Sequence, residues 1–540
     1  MHAVRAGEEL PHDVVVVGAG VAGLVAALTL VERAPHLRVA VLDKGVIGSS
    51  GSTPLAQGGM AAAVGSGDSP EWHAEDTLRA GDGLGDPRAV AVLAAEAPAR
   101  VRELEAWGAR FDRAPDGAYS LAWEGGQRVP RSVRTADASG AEIFRALRAA
   151  ATGKVSRLQG VAVELALEPA PERGVCGVWA LLDQVDRSPL GPAQEGGLVL
   201  LRARGVVLAT GGCGGLFAST TNRDGATGDG VALAWAAGAE LADMEFVQFH
   251  PTGLKPRAGD GGFWRLLLTE ALRGAGAHLL DAGGHRFMPA RHPDAEMAPR
   301  HVVAKAILDQ PAGAWLDGRH LGETAWRRDF PTVLEGARAF GYDPLSEPLP
   351  VEPCQHYMIG GVVTDLWGRT TVPGLWAAGE VASTGVHGAN RMAGNSLSQS
   401  CVFGRRAALS LLGVLEHATA ARPDPARAPV LGPAADAGAA RRMPELRRVL
   451  SAGAGPVRSA ASLEAALKAL DAADAEAAGP LPASREAVEL RNGLTVGRLI
   501  ARSALLREES RGVHWREDFP GHAEAWRGVR LRLRAGAADG

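Results

Sequence analysis

The sequence predicts an α/β fold with three parts: a Rossmann-type domain, an inserted α+β capping domain and a C-terminal helical domain. First, the β-branched run Val14–Val17 leads directly into a glycine-rich stretch, GAGVAG, which is typical of a buried strand and a tight turn. Second, two later apolar runs, 205–212 and 374–380, end in a glycine turn or an acid, as further strands of the same sheet would. Third, a Pro/Ala-rich stretch at 419–440 is followed by segments whose apolar residues recur with the spacing of a helix.

The 540 residues are enough for two or three domains, so each part can have its own core. The predicted division is 1–243 and 354–418 for the Rossmann-type domain, 244–353 for the cap, 419–440 for a linker and 441–540 for the helical domain, with helices at 464–478 and 486–509. A cap inserted at this place would close over a ligand and exclude water.

Composition excludes several functional classes. Apolar residues make up 46%, charged residues 22%, and the net charge is −4, which is ordinary for a globular protein and gives no basic surface for nucleic acid. The four cysteines form no zinc or iron–sulfur spacing, so no metal site is expected, and redox chemistry would need an organic cofactor. The N-terminus lacks the apolar core of a signal peptide, and we expect a cytoplasmic protein.

The uncharged segment 14–31 is nearly long enough to span a bilayer, but its glycines predict strand, turn and helix, so no membrane span is expected. In Gly18-Ala19-Gly20-Val21-Ala22-Gly23, the first glycine permits the turn, the second lets a pyrophosphate approach, and the third allows close packing of helix and strand. A helix is predicted from Leu24 to Arg33, and a second strand, Val39 to Leu42, ends at Asp43, which is placed to bind a ribose. A glycine-rich structural turn is the alternative interpretation.

The continuation favours FAD over NAD. Residues 48–59 are a long run of small residues whose backbone N–H groups and hydroxyls can surround a large cofactor. Strand 205–212 ends in a glycine turn, and strand 374–380 ends in Glu380, which can bind sugar-alcohol hydroxyls. Three nucleotide-facing elements suit extended FAD, and the fold class becomes an FAD-binding Rossmann-type domain with a cap and a helical domain.

Ten segments along the chain resemble the flavoprotein family of succinate dehydrogenase, fumarate reductase and L-aspartate oxidase. They are GAGVAG, STPLAQGGMAAA, ATGGCG, TGDGVALAWAAGA, EFVQFHPTG, LLLTEALRGAGA, FMPARHPDAEMAPRHVVAKAI, QHYMIGGV, GLWAAGEVASTGVHGANRMAGNSL and SALLREESRGVHWREDFP. Their order and spacing match across nearly the whole chain. For FAD, the resemblance implies contacts from the GAGVAG residues and Asp43, and from Lys44, Ser52, Thr53, Ala56, Gln57, Gly58, Gly59, Thr210, Gly211, Asp229, Glu380, Asn395, Ser396 and Leu397.

Two features favour the L-aspartate oxidase branch of this family, whose members convert L-aspartate to iminoaspartate in NAD biosynthesis. Ser52 stands where relatives with covalent FAD carry a histidine, so we expect non-covalent FAD. Glu124, in WEGG, resembles the oxidase glutamate that faces the substrate amino group; a solvated loop acid is the alternative. Departures from the family are Gln127 in place of a frequent histidine, Ser398-Gln399 in place of Leu-Glu, and the dissimilar stretch 165–198.

A four-carbon dicarboxylate needs two anion-binding groups about one substrate length apart. The resemblance supplies Gln248, His250, Thr269 and Glu270 for one group, and His356 and Arg391 for the other. Arg300 matches the proton-transfer arginine of the family, with a third carboxylate anchor as the alternative role, and Arg273 is expected to assist it. A purely structural role for His250 is the other interpretation.

The resemblance implies hydride transfer from Cα of L-aspartate to FAD, with O2 or fumarate as electron acceptor. The main rival is a fumarate reductase or succinate dehydrogenase flavoprotein, and a second is an FAD-binding protein without dicarboxylate chemistry. We expect small dicarboxylates as ligands, and association with a quinolinate synthase is left open. The oligomeric state is not predicted.

Overall fold

The computed structural model describes residues 8–45, 51–171, 173–185, 194–195, 197–257, 262–416, 422–424, 428–432, 437–477 and 479–535. Residues 48–50 of the predicted flavin loop and much of the predicted linker 419–440 lie outside these ranges, as do 536–540. Among the described helices, none has the length and apolar character that a bilayer span would need.

The strands, in chain order, are β1 Glu8–Pro11, β2 Val14–Val17, β3 Val39–Asp43, β4 Met60–Ala61, β5 Leu121–Ala122, β6 Ser132–Val133, β7 Ser156–Leu167, β8 Val175–Leu182, β9 Gln184–Val185, β10 Gln194–Glu195, β11 Leu198–Arg202, β12 Gly205–Leu208, β13 Leu241–Ala242, β14 Val247–Leu254, β15 His278–Leu280, β16 Ala314–Asp317, β17 Leu349–Met358, β18 Gly361–Val363, β19 Leu375–Ala377, β20 Ala382–Ser383, β21 Leu431–Gly432, β22 Leu481–Pro482 and β23 Arg532–Leu533.

The α-helices are α1 Val21–Arg33, α2 Pro70–Ala80, α3 Pro87–Ala106, α4 Ser139–Ala151, α5 Asp229–Ala236, α6 Glu270–Gly274, α7 Arg300–Leu308, α8 Gly322–Asp329, α9 Pro331–Ala339, α10 Asn395–Leu415, α11 Ala437–Gly453, α12 Ala460–Glu476 and α13 Arg485–Leu506.

An eight-stranded sheet with the order β1-β11-β8-β7-β3-β2-β12-β19 forms the Rossmann-type domain. Strands β3, β2, β12 and β19 are parallel neighbours and end at one edge, which confirms that the predicted strands belong to one sheet. The strand–turn–helix over the first glycines is also confirmed, except that α1 begins at Val21 rather than Leu24. The earlier start follows from the turn, because Gly20 is already the N-cap and Gly23 lies inside the first turn of the helix.

Helix α10 packs directly on α1. A Cβ placed on Gly404 of α10 would lie 2.6 Å from the carbonyl oxygen of Ala22, so only glycine allows this approach. The close packing brings the N-terminus of α10 beside the glycine turn. Four residues near this N-terminus therefore line the same cleft as the start of α1: Gly394, Ser396, Leu397 and Ser400.

The inserted segment forms a four-stranded sheet, β14-β17-β16-β15, with α6 to α9 against it and a separate apolar core. Strands β14 and β17 are antiparallel neighbours, and they carry His250 and His356 respectively. Strand β17 runs from Leu349 to Met358, so the predicted boundary between residues 353 and 354 falls inside a strand that joins cap and Rossmann-type domain.

The C-terminal region is helical, and α11, α12 and α13 contact one another. Helix α11 begins at Ala437, inside the predicted linker, because the alanines that suggested a linker also favour a helix. Helix α13 contacts α5, and its Asn492 donates a 2.9 Å hydrogen bond to Asp229 at the N-terminus of α5. The helical region therefore packs against the nucleotide side of the sheet.

Candidate active site

The glycine turn after β2 is built for close packing. Gly18 has φ of +108°, and a Cβ there would lie 2.3 Å from the carbonyl oxygen of Ala209. A Cβ on Gly23 would lie 2.0 Å from the carbonyl oxygen of Gly18, which ties helix α1 against the turn. The N-cap of α1, Gly20, supplies no side-chain cap, so the first backbone N–H groups of the helix can bind an anion.

At the end of β3, Asp43 accepts hydrogen bonds from the backbone N–H groups of Ala19 at 3.0 Å and Gly45 at 2.9 Å. Lys44 pairs with Asp229 at 2.5 Å and with Glu489 of α13 at 3.0 Å. Lys44 and Asp229, both predicted FAD contacts, therefore bind each other while they line the cleft. This network also connects the C-terminal region to the nucleotide side.

The cleft has two adjoining sections, one at the glycine turn and one at the predicted flavin loop. Val21, Ser52, Thr53, Glu380 and Ser400 line both sections, which makes the cleft continuous. Of the other predicted cofactor residues, the turn section contains Gly18, Ala19, Gly20, Ala22, Asp43, Lys44, Thr210, Gly211 and Asp229, and the loop section contains Ala56, Gln57, Gly58, Gly59, Ser396 and Leu397.

The residues present fit FAD. Oγ1 of Thr210 in the turn section and Oε1 of Gln57 in the loop section are buried and have no hydrogen-bond partner among the described residues. Buried polar atoms without partners are rare, and a polar cofactor along the cleft would satisfy both. A Cβ on Gly212 would lie 2.2 Å from Oε1 of Glu380, so glycine is needed there for the acid to reach the cleft.

Two of the predicted cofactor residues have different surroundings. The amide of Asn395 bonds to Nε2 of His73 at 2.8 Å and to Oγ1 of Thr77 at 2.9 Å; it holds α10 against α2, and Asn395 does not line the cleft. Oγ of Ser52 donates to Oδ1 of Asn222 at 2.8 Å, so this hydroxyl is held by a neighbour in the same cleft.

The departures Ser398 and Gln399 point away from the cleft. Oγ of Ser398 donates to the carbonyl oxygen of Ala61 at 2.5 Å, which joins α10 to β4. The amide of Gln399 is buried among Tyr357, His387 and Thr384, and Oε1 accepts a 2.9 Å hydrogen bond from the Tyr357 hydroxyl. Both residues stabilise the cleft wall, whereas Ser400 takes the position facing the cleft.

His250 and His356 lie next to each other, with ring centroids 5.1 Å apart, and both line the loop section of the cleft. The sequence predicted them in two separate anion-binding groups, but the antiparallel pairing of β14 and β17 brings them together. Nδ1 of His250 accepts a 3.2 Å hydrogen bond from the backbone N–H of Thr252, so in a neutral ring Nε2 carries the proton. Burial lowers the pKa of His250 well below its usual range, and Arg300 adds to this.

His356 is oriented by Thr221, whose Oγ1 lies 2.8 Å from its Nδ1. Burial, and after it Arg300 and Arg391, lower the pKa of His356 well below its usual range. Both imidazoles are therefore neutral at physiological pH. Neutral histidines bind a carboxylate through N–H donors without adding charge.

Arg300 and Arg391 are charged donors that line the loop section of the cleft. Nε of Arg300 donates to Oε2 of Glu270 at 2.6 Å, and Nη1 of Arg300 donates to Oε1 of Gln248 at 3.1 Å. Nε of Arg391 donates to the same Gln248 oxygen at 3.1 Å, and the guanidinium of Arg391 lies 4.6 Å from the ring centroid of Tyr357. Nη2 of Arg391 is buried with no partner among the described residues, which fits an anionic ligand.

The structure assigns Gln248 and Glu270 different positions from those predicted. Gln248 is fully buried and does not line the cleft; it joins the two arginines from behind. Glu270 lines the cleft, but as a carboxylate it orients Arg300 and cannot bind an anion directly. Burial alone would raise the pKa of Glu270, but Arg300 and Arg273 lower it to about 2, so the side chain stays charged.

Arg273 reaches Arg300 only through Glu270. Its Nη2 lies 3.6 Å from Oε2 of Glu270, and its Nη1 donates to the carbonyl oxygen of Glu296. Arg273 belongs to α6, is buried and does not line the cleft. Thr269, at the N-cap of α6, does line it.

Glu124 lies inside the cleft, and the alternative of a solvated loop acid is wrong, because only 1% of the residue is exposed. Its Oε2 accepts a 2.9 Å hydrogen bond from Oγ of Ser132. Burial raises the pKa of Glu124 to about 6, and the neighbouring Glu270 contributes to the increase. The carboxylate is therefore charged above that pH and can bind a cation.

Sequence reasoning missed several residues that shape the site. They are Ser132, Thr221, Asn222, Thr252, Tyr357 and Ser400. Thr252 and Tyr357 lie inside two of the quoted motifs, so proximity to His250 and His356 was an available signal. Ser132, Thr221 and Asn222 gave none, because their roles depend on contacts between distant segments.

Two family models match separate parts of the chain. The family model "FAD binding domain" matches residues 13–397, and the model "Fumarate reductase flavoprotein C-term" matches residues 443–534. An L-aspartate oxidase of Streptomyces coelicolor is 46% identical, with 96% of this chain and 90% of the relative covered. A fumarate reductase (CoM/CoB) subunit of Methanothermobacter marburgensis is 37% identical, with 95% and 96% covered.

A solved structure of an E. coli quinol fumarate reductase FrdA mutant has a TM-score of 0.85 at 30% identity, and it covers 96% of this chain and 93% of its own. The fold and the cleft thus define an FAD-dependent oxidoreductase. Within that class, the chain belongs to the L-aspartate oxidase family of the succinate dehydrogenase and fumarate reductase flavoproteins.

Proposed function

We propose that this protein oxidises L-aspartate to iminoaspartate with FAD, as the first step of NAD biosynthesis through quinolinate. The observation that carries the proposal is the buried carboxylate of Glu124, which shares one cleft with the carboxylate donors His250, His356, Arg300 and Arg391. A ligand with two carboxylates and one ammonium group complements this set of charges.

Binding follows from the donors that are still available. Nη2 of Arg391 has no partner among the described residues, and Nε2 of neutral His250 presents an N–H group, so both can donate to substrate carboxylate oxygens. His356 lies beside His250 and adds a further ring nitrogen. Glu124 binds the amino group, which fixes the orientation of the substrate Cα in the loop section of the cleft.

Bound FAD supplies the two-electron oxidising chemistry, and the residues of the chain supply position and field. Arg300 is held at two atoms, Nε by Glu270 and Nη1 by Gln248, so its guanidinium cannot rotate freely. Charged Glu270 stabilises the protonated guanidinium. With fumarate as acceptor, the same arginine donates a proton to the substrate carbon while His250 and Arg391 hold the carboxylates.

The rival function, that of a fumarate reductase or succinate dehydrogenase flavoprotein, has no use for a buried acid beside its substrate. Succinate and fumarate lack an ammonium group, so neither gives the buried carboxylate of Glu124 a cationic partner. An oxidase gains selectivity from the same acid, because an amino acid compensates its charge. Identity is also higher to the Streptomyces oxidase than to the Methanothermobacter reductase, at similar coverage.

Three further properties belong to the proposal. FAD is held non-covalently, because Ser52 stands at the linking position and its hydroxyl is bonded to Asn222; acid precipitation should leave all flavin in the supernatant. The compartment is the reducing cytoplasm, in keeping with four buried free thiols, Cys176, Cys213, Cys354 and Cys401. A quinolinate synthase receives the product, which co-purification of the two proteins would test.

The deciding experiment mixes the purified FAD-loaded protein anaerobically with L-aspartate and, separately, with succinate. We expect L-aspartate to bleach the yellow flavin absorbance and succinate to bleach it far more slowly. Equal or faster bleaching by succinate would favour the reductase. No bleaching by either compound would favour an FAD-binding protein without dicarboxylate chemistry.

A further inference from the structure

The loop that carries Glu124 contains a closed chain of three hydrogen bonds. The backbone N–H of Glu124 donates to Oε1 of Gln127 at 3.2 Å. Nε2 of Gln127 then donates to Oγ of Ser132 at 2.9 Å, and Oγ of Ser132 donates to Oε2 of Glu124 at 2.9 Å. The chain therefore begins and ends on the same residue, and all three members are buried.

The direction of this chain is fixed by donor chemistry. A backbone N–H can only donate, so the Gln127 oxygen must face Glu124 and its NH2 group must face Ser132. Because the serine oxygen already accepts from Gln127, its single hydrogen points to Glu124. An ionised acid accepts hydrogen bonds only, so this direction favours the charged form of Glu124.

We propose that Gln127 and Ser132 are positioning residues that hold Glu124 in its ammonium-binding orientation and thereby set the preference for amino dicarboxylates. This inference rests on the proposed oxidation of L-aspartate. Ser132 donates its hydroxyl hydrogen to Oε2 of Glu124. Oε1 of Glu124 lies 2.7 Å from the position that a Cβ on Gly58 would take, in the wall of the loop section. The free oxygen is thus directed along the wall that a substrate amino group must approach.

The loop is also confined sterically, which makes the hydrogen bonds decisive for orientation. A Cβ on Gly59 would lie 2.8 Å from Cβ of Ser132, and one on Gly394 would lie 3.0 Å from Oγ of Ser132. The serine therefore has little room to rotate away from Glu124. The Gln127 position, which departs from the histidine frequent in the family, acquires a defined role through its amide.

The charged groups that act on Glu124 are Glu270, Arg300, Arg391 and Arg273. Glu270 stays ionised far below neutral pH, so of the two acids Glu124 is the one that titrates near pH 6. Loss of the Ser132 hydroxyl removes a donor to the charged form and raises the pKa of Glu124 further. Aspartate binding needs the charged form of Glu124. The acid limb of aspartate oxidation, which is the fall of its rate at low pH, should therefore move to higher pH.

The test compares the FAD-loaded wild-type enzyme with Ser132→Ala and Gln127→Glu. Gln127→Glu keeps the shape of the side chain but cannot donate to Ser132, so the serine hydrogen turns away from Glu124. Ser398→Ala is the matched control, because it deletes another buried hydroxyl, one that bonds to Ala61 beside Ser132 in the β4–β6 pair. For each variant, kcat/KM for L-aspartate and for fumarate reduction would be measured against pH.

For both test variants we expect kcat/KM for L-aspartate to fall about tenfold or more at neutral pH. Its acid limb should move up by about one pH unit, which corresponds to the loss of one charge-assisted donor. Fumarate reduction should change by less than about threefold, with an unshifted profile, and Ser398→Ala should shift neither profile. Equal losses for aspartate and fumarate, or an unshifted aspartate limb in both variants, would overturn the proposal.

Direct binding separates this inference from the proposed function. The ratio of dissociation constants for L-aspartate and succinate, followed by perturbation of the flavin spectrum, requires no turnover. If the wild type binds L-aspartate but does not oxidise it, the proposed function fails. A ratio unchanged by both test variants would instead overturn the positioning role, whatever the turnover. Two variants protect the test against a folding defect in either one.

Discussion

Oε2 of Glu270 lies 2.6 Å from Nε of Arg300, and both side chains are buried. Glu270 is the first residue of α6 and Arg300 is the first residue of α7, so the pair joins two cap helices beside the cleft. The glutamate does more than neutralise a charge, because its position selects which guanidinium atoms remain free for the ligand. The first prediction concerns this pair.

Glu270→Gln should lower kcat about 10²-fold, since a small misplacement of Arg300 is enough for a loss of that size. The neutral amide keeps the shape of the side chain but no longer pairs charge with charge, and it also removes the carboxylate that faces Arg273. FAD content should stay near wild type. A kcat within about threefold of wild type, measured by steady-state oxidation, would show that Arg300 is oriented without Glu270.

Glu124→Gln should reduce kcat/KM for L-aspartate far more than for fumarate, because only the amino acid needs the negative charge. In the wild type, the pKa of Glu124 is raised to about 6, so aspartate oxidation should be full above that pH and decline as pH falls through it. Fumarate reduction should lack this decline. Equal loss of both activities in the variant, or a shared acid limb in the wild type, would contradict the assigned role.

Arg300→Leu should abolish turnover while FAD stays bound, because Arg300 does not line the turn section, where the glycine turn would hold the nucleotide part of FAD. The expected loss exceeds that of Glu270→Gln, since the side chain itself is gone rather than its support. Steady-state rates and the flavin absorbance of the purified variant would be compared. A near-normal rate would reduce Arg300 to a carboxylate anchor that other donors can replace.

Two glycine variants separate the needs of the fold from those of the cofactor. Gly18→Ala should destabilise the protein even without FAD, because a Cβ there would lie 2.3 Å from the carbonyl oxygen of Ala209 and φ is +108°. Gly20→Ala should leave the apo-protein Tm unchanged, since its Cβ would lie no closer than 3.4 Å, to Oγ1 of Thr53. The same Cβ should weaken FAD binding, because it fills the space for the pyrophosphate.

Apo-protein Tm and the dissociation constant of FAD distinguish the two glycine effects. An unchanged FAD affinity for Gly20→Ala would place the phosphates elsewhere. An unchanged apo Tm for Gly18→Ala would mean that the turn can relax around the added methyl group.

Local sequence pattern was enough for the Rossmann-type core. The run Val14–Val17, the glycine spacing and Asp43 each reflect contacts within one βαβ unit, and the structure has them as predicted. The site was predictable only as a set of residues. That Gln248 lies behind the arginines and that His250 touches His356 depends on the pairing of β14 with β17, which local spacing does not encode.

Hydrogen bonds between side chains were the least predictable features. Gln127 was visible as an unusual residue, but its partner Ser132 had no signal of its own. The ends of helices were easier to predict than these hydrogen bonds but harder than the strands of the core. Helix α11 begins inside the predicted linker, because alanine suits both a linker and a helix.

The backbone N–H of Gly125 donates a 3.0 Å hydrogen bond to Oε1 of Glu270, the residue whose other oxygen holds Arg300. The Glu124 loop belongs to the Rossmann-type domain and Glu270 to the cap, so this bond crosses from one to the other. A rotation of the cap that separates Gly125 from Glu270 would break it. An open enzyme would then lose ammonium recognition and the support of its proton donor in the same movement, so neither half of the chemistry could proceed on a ligand that is only partly enclosed.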